Sequence, residues 1–158
     1  GLKSFQGVKR RFTYLGKINN SNIYDDYAHH PTEIRATLET AKLISTKKII
    51  VIFQPHRFSR TKDLYLEFIN VLKNIDHLFI CDIYHAGEKP IKGINSSKLV
   101  KDILKKGSKK VTYLKNPNNL YSILSPFFEK KNTIIFMGAG SISQFAHNLM
   151  EKHNDREN

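Results

Sequence analysis

The sequence predicts an α/β protein, a doubly wound, mainly parallel sheet with a hairpin at its N-terminal end. Two observations carry the prediction. Continuous apolar runs rich in β-branched and aromatic residues at 48–53, 77–83 and 133–137 have the composition of strands buried on both faces. Between them lie segments whose apolar residues recur at helical spacing, and strands alternating with helices build βαβ units.

Residues 13–18 and 23–26 read as short strands joined by the turn signal Asn19-Asn20-Ser21-Asn22. A helix over 33–44 follows, with Ile34, Leu38, Ala41 and Ile44 on one face. Pro31 suits the first helical position, where its missing N–H is unpaired anyway, and Glu33 suits the positive end of the helix dipole. After the 48–53 strand, Leu64, Phe68, Ile69 and Leu72 predict a helix over 62–72, and the 77–83 strand comes next. A polar loop, 84–95, leads to a helix over 96–106, a short strand at 111–114 and a helix over 118–128 that Pro126 interrupts. The 133–137 strand, the turn Gly138-Ala139-Gly140 and a helix over 143–152 complete one domain, residues 1–152, and a polar, disordered tail is expected at 153–158.

A chain of 158 residues, 40% hydrophobic and 25% charged, is long enough for one ordinary core. Cys81 lies inside an apolar run, which argues for a buried core thiol and against a disulfide framework. No apolar run approaches the roughly 20 residues of a bilayer span, and no signal-peptide core is evident, so a cytoplasmic protein is expected. Lys and Arg total 26 against 14 acidic residues, a formal +12, which attracts polyanions without saying which. Many of these lysines fall at helix ends and turns, where cations are solvated and locally favourable.

Residues 25–30, 54–60 and 82–88 all follow the carboxyl ends of predicted strands, the rim where open α/β sheets place their ligands. In Asp25-Asp26-Tyr27-Ala28-His29-His30-Pro31, three readings stay open: a structural corner in which Asp26 accepts backbone N–H bonds, a substrate or nucleotide site, or a metal site. Adjacent histidines usually point apart, which counts against the metal. The loop Gln54-Pro55-His56-Arg57-Phe58-Ser59-Arg60-Thr61 resembles an anion clamp, because Arg57 and Arg60 present planar forks at a helix entry. The 82–93 loop exceeds the usual two to six residues of such connections, a sign of function. Lys9-Arg10-Arg11 is either a solvated basic cluster or a phosphate contact. Gly138-Ala139-Gly140-Ser141-Ile142-Ser143 lacks the third glycine of a dinucleotide fingerprint and reads as a tight turn with close helix packing. No P-loop occurs in the chain.

Four blocks together resemble a known family. Phe5-Gln6-Gly7-Val8-Lys9-Arg10-Arg11-Phe12, the Asp25 to Ile34 block, the Phe53 to Thr61 block and Asp82-Ile83-Tyr84-His85-Ala86-Gly87-Glu88-Lys89-Pro90-Ile91 are similar in order and spacing to the C-terminal domain of the Mur ligases. The likeness is to the branch that joins L-alanine to UDP-N-acetylmuramate; the murein peptide ligases resemble the chain less at Gln54-Pro55-His56-Arg57. It implies a Rossmann-like lid whose partner domains, absent from this chain, hold the UDP-sugar, the ATP P-loop and most ligands of Mg2+. In such ligases ATP phosphorylates the muramyl carboxylate, the alanine amine attacks the acyl phosphate, and a tetrahedral intermediate collapses to the amide.

By the same resemblance, Asp25, Asp26 and Tyr27 lie near the nucleotide, and His30, His56 and Arg57 face the substrate carboxylate and incoming alanine. Arg57, Arg60 and Arg10 or Arg11 would then be fixed positive charges beside the transferring phosphoryl and the oxyanion. The resemblance assigns this chain no metal site, and Ser141, where an aspartate is expected, weakens any ligand role for the last turn. The isolated domain is expected to be inactive. A stand-alone basic module that binds nucleic acid, and a metal-dependent phosphoesterase, are the competing classes.

Overall fold

Alternation along each central strand supplies two cores at once, and this fixes where the helices sit. The computed structural model describes residues 11–108 and 110–158. Its strands are β1 (Thr13–Ile18), β2 (Ser21–Asp26), β3 (Ile49–Phe53), β4 (His77–Cys81), β5 (Val111–Leu114) and β6 (Thr133–Met137), in the sheet order β1-β2-β6-β3-β4-β5. β1 and β2 form the antiparallel hairpin, and every other pairing is parallel. The helices are α1 (Pro31–Ile44), α2 (Phe58–Asp63), α3 (Tyr65–Leu72), α4 (Ser96–Lys105), α5 (Leu120–Phe128) and α6 (Ile142–Glu157).

Ile49, Val51 and Phe53 point to one face and pack with Ile34 and Leu38 of α1, Phe68 and Leu72 of α3, and Leu99 and Ile103 of α4. Ile50 and Ile52 point to the other, against Leu124 and Phe128 of α5 and Ala146 and Leu149 of α6. Both sets are almost wholly withdrawn from water, so each strand stabilises both layers. Cys81 is buried in the second core, where loss of solvation and the neighbouring Asp82 push its thiol up to about 12.

The elements depart from expectation in three places, each with an identifiable physical cause. The single helix expected over 62–72 is two, broken at Leu64. α2 has no apolar stripe to announce it; the Thr61 hydroxyl donates to the Arg57 carbonyl (2.8 Å) and holds its first turn. Pro126 does not interrupt α5, because the Ser122 carbonyl that it leaves without an N–H partner accepts the Ser125 hydroxyl instead (2.9 Å). The disordered tail expected at 153–158 is corrected as well, since α6 continues to Glu157. His153 is buried beside the Tyr121 hydroxyl (3.2 Å) and Arg156 lies 4.3 Å from the centre of the Tyr121 ring.

After β3 the chain leaves to the face carrying α3, whereas after β6, its neighbour in the sheet, it leaves to the face carrying α6. Adjacent strands with exits on opposite faces open a crevice at their carboxyl ends.

Candidate functional site at the carboxyl rim

The corner after β2 is built by carboxylates turned onto the chain itself. Asp26, only 4% exposed, accepts the N–H groups of Phe12 and Ala28 (both 2.7 Å) and the Thr37 hydroxyl (3.1 Å). Burial outweighs these bonds, and with Asp25 alongside it raises the Asp26 pKa. Asp25 is also buried, and the Ser143 hydroxyl at the start of α6 donates to it (2.6 Å). His30 caps α1 through Nδ1, which accepts the Thr32 N–H (3.3 Å), while Glu33 accepts the N–H groups of His30 (3.0 Å) and His29 (3.2 Å). It is a capping box with histidine in the usual serine place, and Pro31 occupies the first helical position as expected. Burial tends to raise Glu33, but the two N–H bonds, the His29 ring and Arg11 prevail and lower its pKa. A cavity of about 180 Å³ opens beside this corner, lined among others by Arg11, Tyr27, Glu33 and Thr40. Arg10 lies outside the described residues.

The loop after β3 is clamped from both sides. Gln54, buried, donates from Nε2 to the Ser141 hydroxyl (3.0 Å) and accepts the Ile142 N–H (3.1 Å), which satisfies the first turn of α6. A Cβ on Gly138 would stand 2.8 Å from the Gln54 carbonyl oxygen, so glycine there permits close approach; the turn is the tight packing device that the sequence indicated. On the other side Tyr84 donates its N–H to Pro55 (2.9 Å) and accepts that of Arg57 (2.8 Å), pairing His56 with Tyr84 in a parallel bridge. Arg57 takes φ 77°, a conformation that costs a non-glycine residue on the order of 1–3 kcal/mol and is held by these bonds.

Around His56 the loops converge. Its ring stacks on Tyr84 (5.4 Å between centroids, 14° between planes) and lies 5.7 Å from the His29 ring, itself edge-on to Tyr27. Arg60 reaches His56 Nδ1 (3.1 Å) and its carbonyl oxygen (3.0 Å) from one guanidinium nitrogen. A guanidinium only donates, so Nδ1 accepts and the neutral imidazole carries its proton on Nε2. Burial, then the charges of His29, Arg60 and Arg57, lower the His56 pKa to about 4, with Glu88 pulling the other way. Glu88 accepts the Ser59 hydroxyl and N–H (3.1 Å for the latter), contacts that lower its own pKa. Arg57 is exposed and its guanidinium makes no hydrogen bond among the described residues; with Arg60 and Ser59 it lines an open hollow of about 330 Å³.

His56, Arg57 and Arg60 are therefore one cluster, with His29 beside it and His30 one residue further, at the α1 cap. Asp25 and Asp26 lie behind, facing the protein. Sequence reasoning did not single out Gln54 or Tyr84, although both stand in the blocks it quoted. Among the described residues no group of three or more His, Cys, Asp or Glu is placed to hold a metal ion. His29 and His30 turn their Nδ1 atoms to the Tyr27 carbonyl (3.0 Å) and the Thr32 N–H, respectively.

The chain is thus an open α/β sheet with guanidinium and imidazole groups gathered at its carboxyl rim. Residues 10–140 match the model of the Mur ligase, glutamate ligase domain, and the chain belongs to the Mur ligase family, corresponding to its C-terminal domain. A UDP-N-acetylmuramate–L-alanine ligase of Geotalea uraniireducens (strain Rf4) is 45% identical over 152 residues, covering 96% of this chain and 33% of that protein. The chain thus spans about a third of the curated relatives it matches. The crystal structure of UDP-N-acetylmuramate-alanine ligase MurC from Thermotoga maritima matches 93% of this chain and 30% of its own, with 29% identity and a TM-score of 0.71. A murein peptide ligase from Psychrobacter arcticus 273-4 has a TM-score of 0.70 at 18% identity, covering 92% of this chain and 30% of its own, and shows the shared fold alone. No helix among the described residues is long and apolar enough to cross a membrane.

Proposed function

We propose that this chain is the lid of a cytoplasmic, ATP-dependent ligase that joins L-alanine to UDP-N-acetylmuramate for peptidoglycan precursor synthesis, through an acyl phosphate. The observation that carries the reading is the convergence of His56, Arg57 and Arg60, beside His29, on one rim with Arg57 outward. Arg57 and Arg60 supply fixed positive charge to the carboxylate of the incoming amino acid and to the phosphorylated acid. His56, protonated on Nε2 while Nδ1 accepts from Arg60, offers a hydrogen bond to an acceptor in the crevice and orients it. With its proton on Nε2 and Nδ1 engaged by Arg60, His56 has no free lone pair for the amine proton, so in this reading it orients the substrate rather than deprotonating it. His30, exposed at the α1 cap, borders the same substrate.

The nucleotide, in this reading, meets the Arg11 and Tyr27 side of the corner. Asp25 and Asp26 shape that corner from behind, because their oxygens are engaged by Ser143, Phe12, Ala28 and Thr37. In this reading the partner domains hold ATP and most of the magnesium ligands.

The test joins the chain to the UDP-sugar and P-loop domains and measures phosphate release with UDP-N-acetylmuramate, ATP and either L-alanine or a tripeptide. Release with alanine alone supports the reading; release with the tripeptide instead makes it a murein peptide ligase lid. Loss of turnover in folded His56→Ala and Arg57→Ala proteins supports the residue roles, and wild-type rates reject them.

A further inference from the structure

We infer that Tyr84 is a positioning residue for the His56–Arg57 pair, and that residue 140 is glycine because this tyrosine ring is seated on it. The inference rests on the ligase reading for its purpose but not for its geometry. Tyr84 acts on the pair in two ways. Its backbone brackets the segment, donating to the Pro55 carbonyl and accepting the Arg57 N–H, and so helps hold Arg57 in its strained conformation. Its ring stacks on the imidazole of His56 at 14° and carries His85 stacked at 6°.

The ring has a floor as well as a load. A Cβ on residue 140 would meet Tyr84 Cγ at 2.5 Å and Cδ1 at 2.9 Å, distances that real side chains do not tolerate. The same hypothetical atom would stand 2.8 Å from Gln54 Oε1, so the turn after β6, the loop after β3 and the loop after β4 meet at one point. The flat face of Tyr84 thereby fixes the plane of the His56 ring, and with it the alignment of Nδ1 on Arg60 and the direction of Nε2. The other charged or titratable groups facing His56 are His29 from the loop before α1, Arg57 and Arg60 from the loop and α2, and Glu88 from the loop after β4. None of them is planar support; each acts on the ring by charge or by an edge contact.

The experiment follows the imidazole of His56 in this chain with histidine-labelled protein, its signals assigned by their loss in His56→Gln. Nitrogen shifts give the tautomer and a pH series gives the midpoint. Wild type is expected to show the Nε2–H tautomer with a midpoint near about 4, and Tyr84→Phe to match it. Tyr84→Ala, which keeps the backbone bracket, is expected to mix the two tautomers and raise the midpoint by about one pH unit toward the free value. Gly140→Ala, which displaces the ring without deleting it, is expected to move both in the same direction. A Tyr84→Ala protein that melts lower yet keeps the wild-type tautomer and midpoint would show only a packing role and overturn the inference. If the joined wild-type ligase failed to release phosphate, the proposed function would fall and the imidazole measurement would still decide this point.

Discussion

Replacing Asp26 by alanine tests whether the corner after β2 is held by its carboxylate or merely decorated by it. The substitution strips three donors of their acceptor at once, the N–H groups of Phe12 and Ala28 and the Thr37 hydroxyl, at a site 4% exposed on the wall of the cavity beside the corner. Hydrogen bonds to a charged group contribute roughly 1.5–3 kcal/mol each, but they share one acceptor whose burial opposes them, so a loss of about 3–4 kcal/mol is expected in all. At roughly 2–4 °C per kcal/mol for a chain of this size, the melting temperature falls by about 6–16 °C in a circular dichroism melt at neutral pH. The pH dependence has a definite sign. Because the folded pKa of Asp26 is raised, its contribution is fully present below the ordinary carboxylate range and is lost as pH rises through the folded value. The gap between wild type and Asp26→Ala should therefore widen as pH is lowered from 8 toward 4. A melting temperature within about 3 °C of wild type, or a gap that narrows in acid, would refute the reasoning.

Gly138→Ala places a Cβ 2.8 Å from the Gln54 carbonyl oxygen at φ 153°, and a loss of about 2–3 kcal/mol is expected in urea unfolding, with an unchanged midpoint refuting the close approach. His56, whose folded pKa of about 4 lies below its ordinary 6.5, contributes stability fully present above pH 6.5 and lost as pH falls through 4. The gap corresponds to roughly 3 kcal/mol before screening, about 1 kcal/mol for a ring that is partly exposed, so wild type should lose about 2–4 °C more than His56→Gln between pH 7.5 and 4. His153→Ala removes the buried ring beside Tyr121, and the last turn of α6 is expected to fray, read as reduced helical ellipticity; an unchanged spectrum would show that the turn needs no such anchor.

The order and type of nearly every element were legible because the signals are local. Ile49 to Phe53 is apolar at every position, and Pro31 with Glu33 marks a helix start by backbone chemistry alone. Two of the misjudged features involve partners distant in sequence. Glu88 receives the Ser59 N–H at the start of α2, and the helical end of α6 carries His153 beside Tyr121 on α5, neither of which periodicity can register. The candidate site divides the same way. That loops 25–30, 54–60 and 82–88 share a rim follows from strand polarity and was legible. That Asp26 faces inward, that His30 is a helix cap, and that Tyr84 lies against both His56 and residue 140 are outcomes of packing between three separate loops.

The acids and bases of the rim do different work, and the difference predicts a substitution. Asp26 and Glu33 accept backbone N–H groups within their own corner and Glu88 accepts that of Ser59 on another loop, so the carboxylates hold the loops. The Arg57 guanidinium, by contrast, is exposed and makes no hydrogen bond among the described residues, which is what the proposed anion-binding role needs. Glu88 also sits close enough to oppose the charges that depress His56. Glu88→Gln keeps an acceptor for Ser59 but removes the charge, so the His56 midpoint should move down, opposite to the shift expected from Tyr84→Ala, while the fold loses little. The same labelled-histidine titration reads both. A midpoint that stays put or rises in Glu88→Gln would mean that Glu88 reaches His56 through loop structure rather than through its field, and the rim would then have to be regarded as mechanically rather than electrostatically coupled.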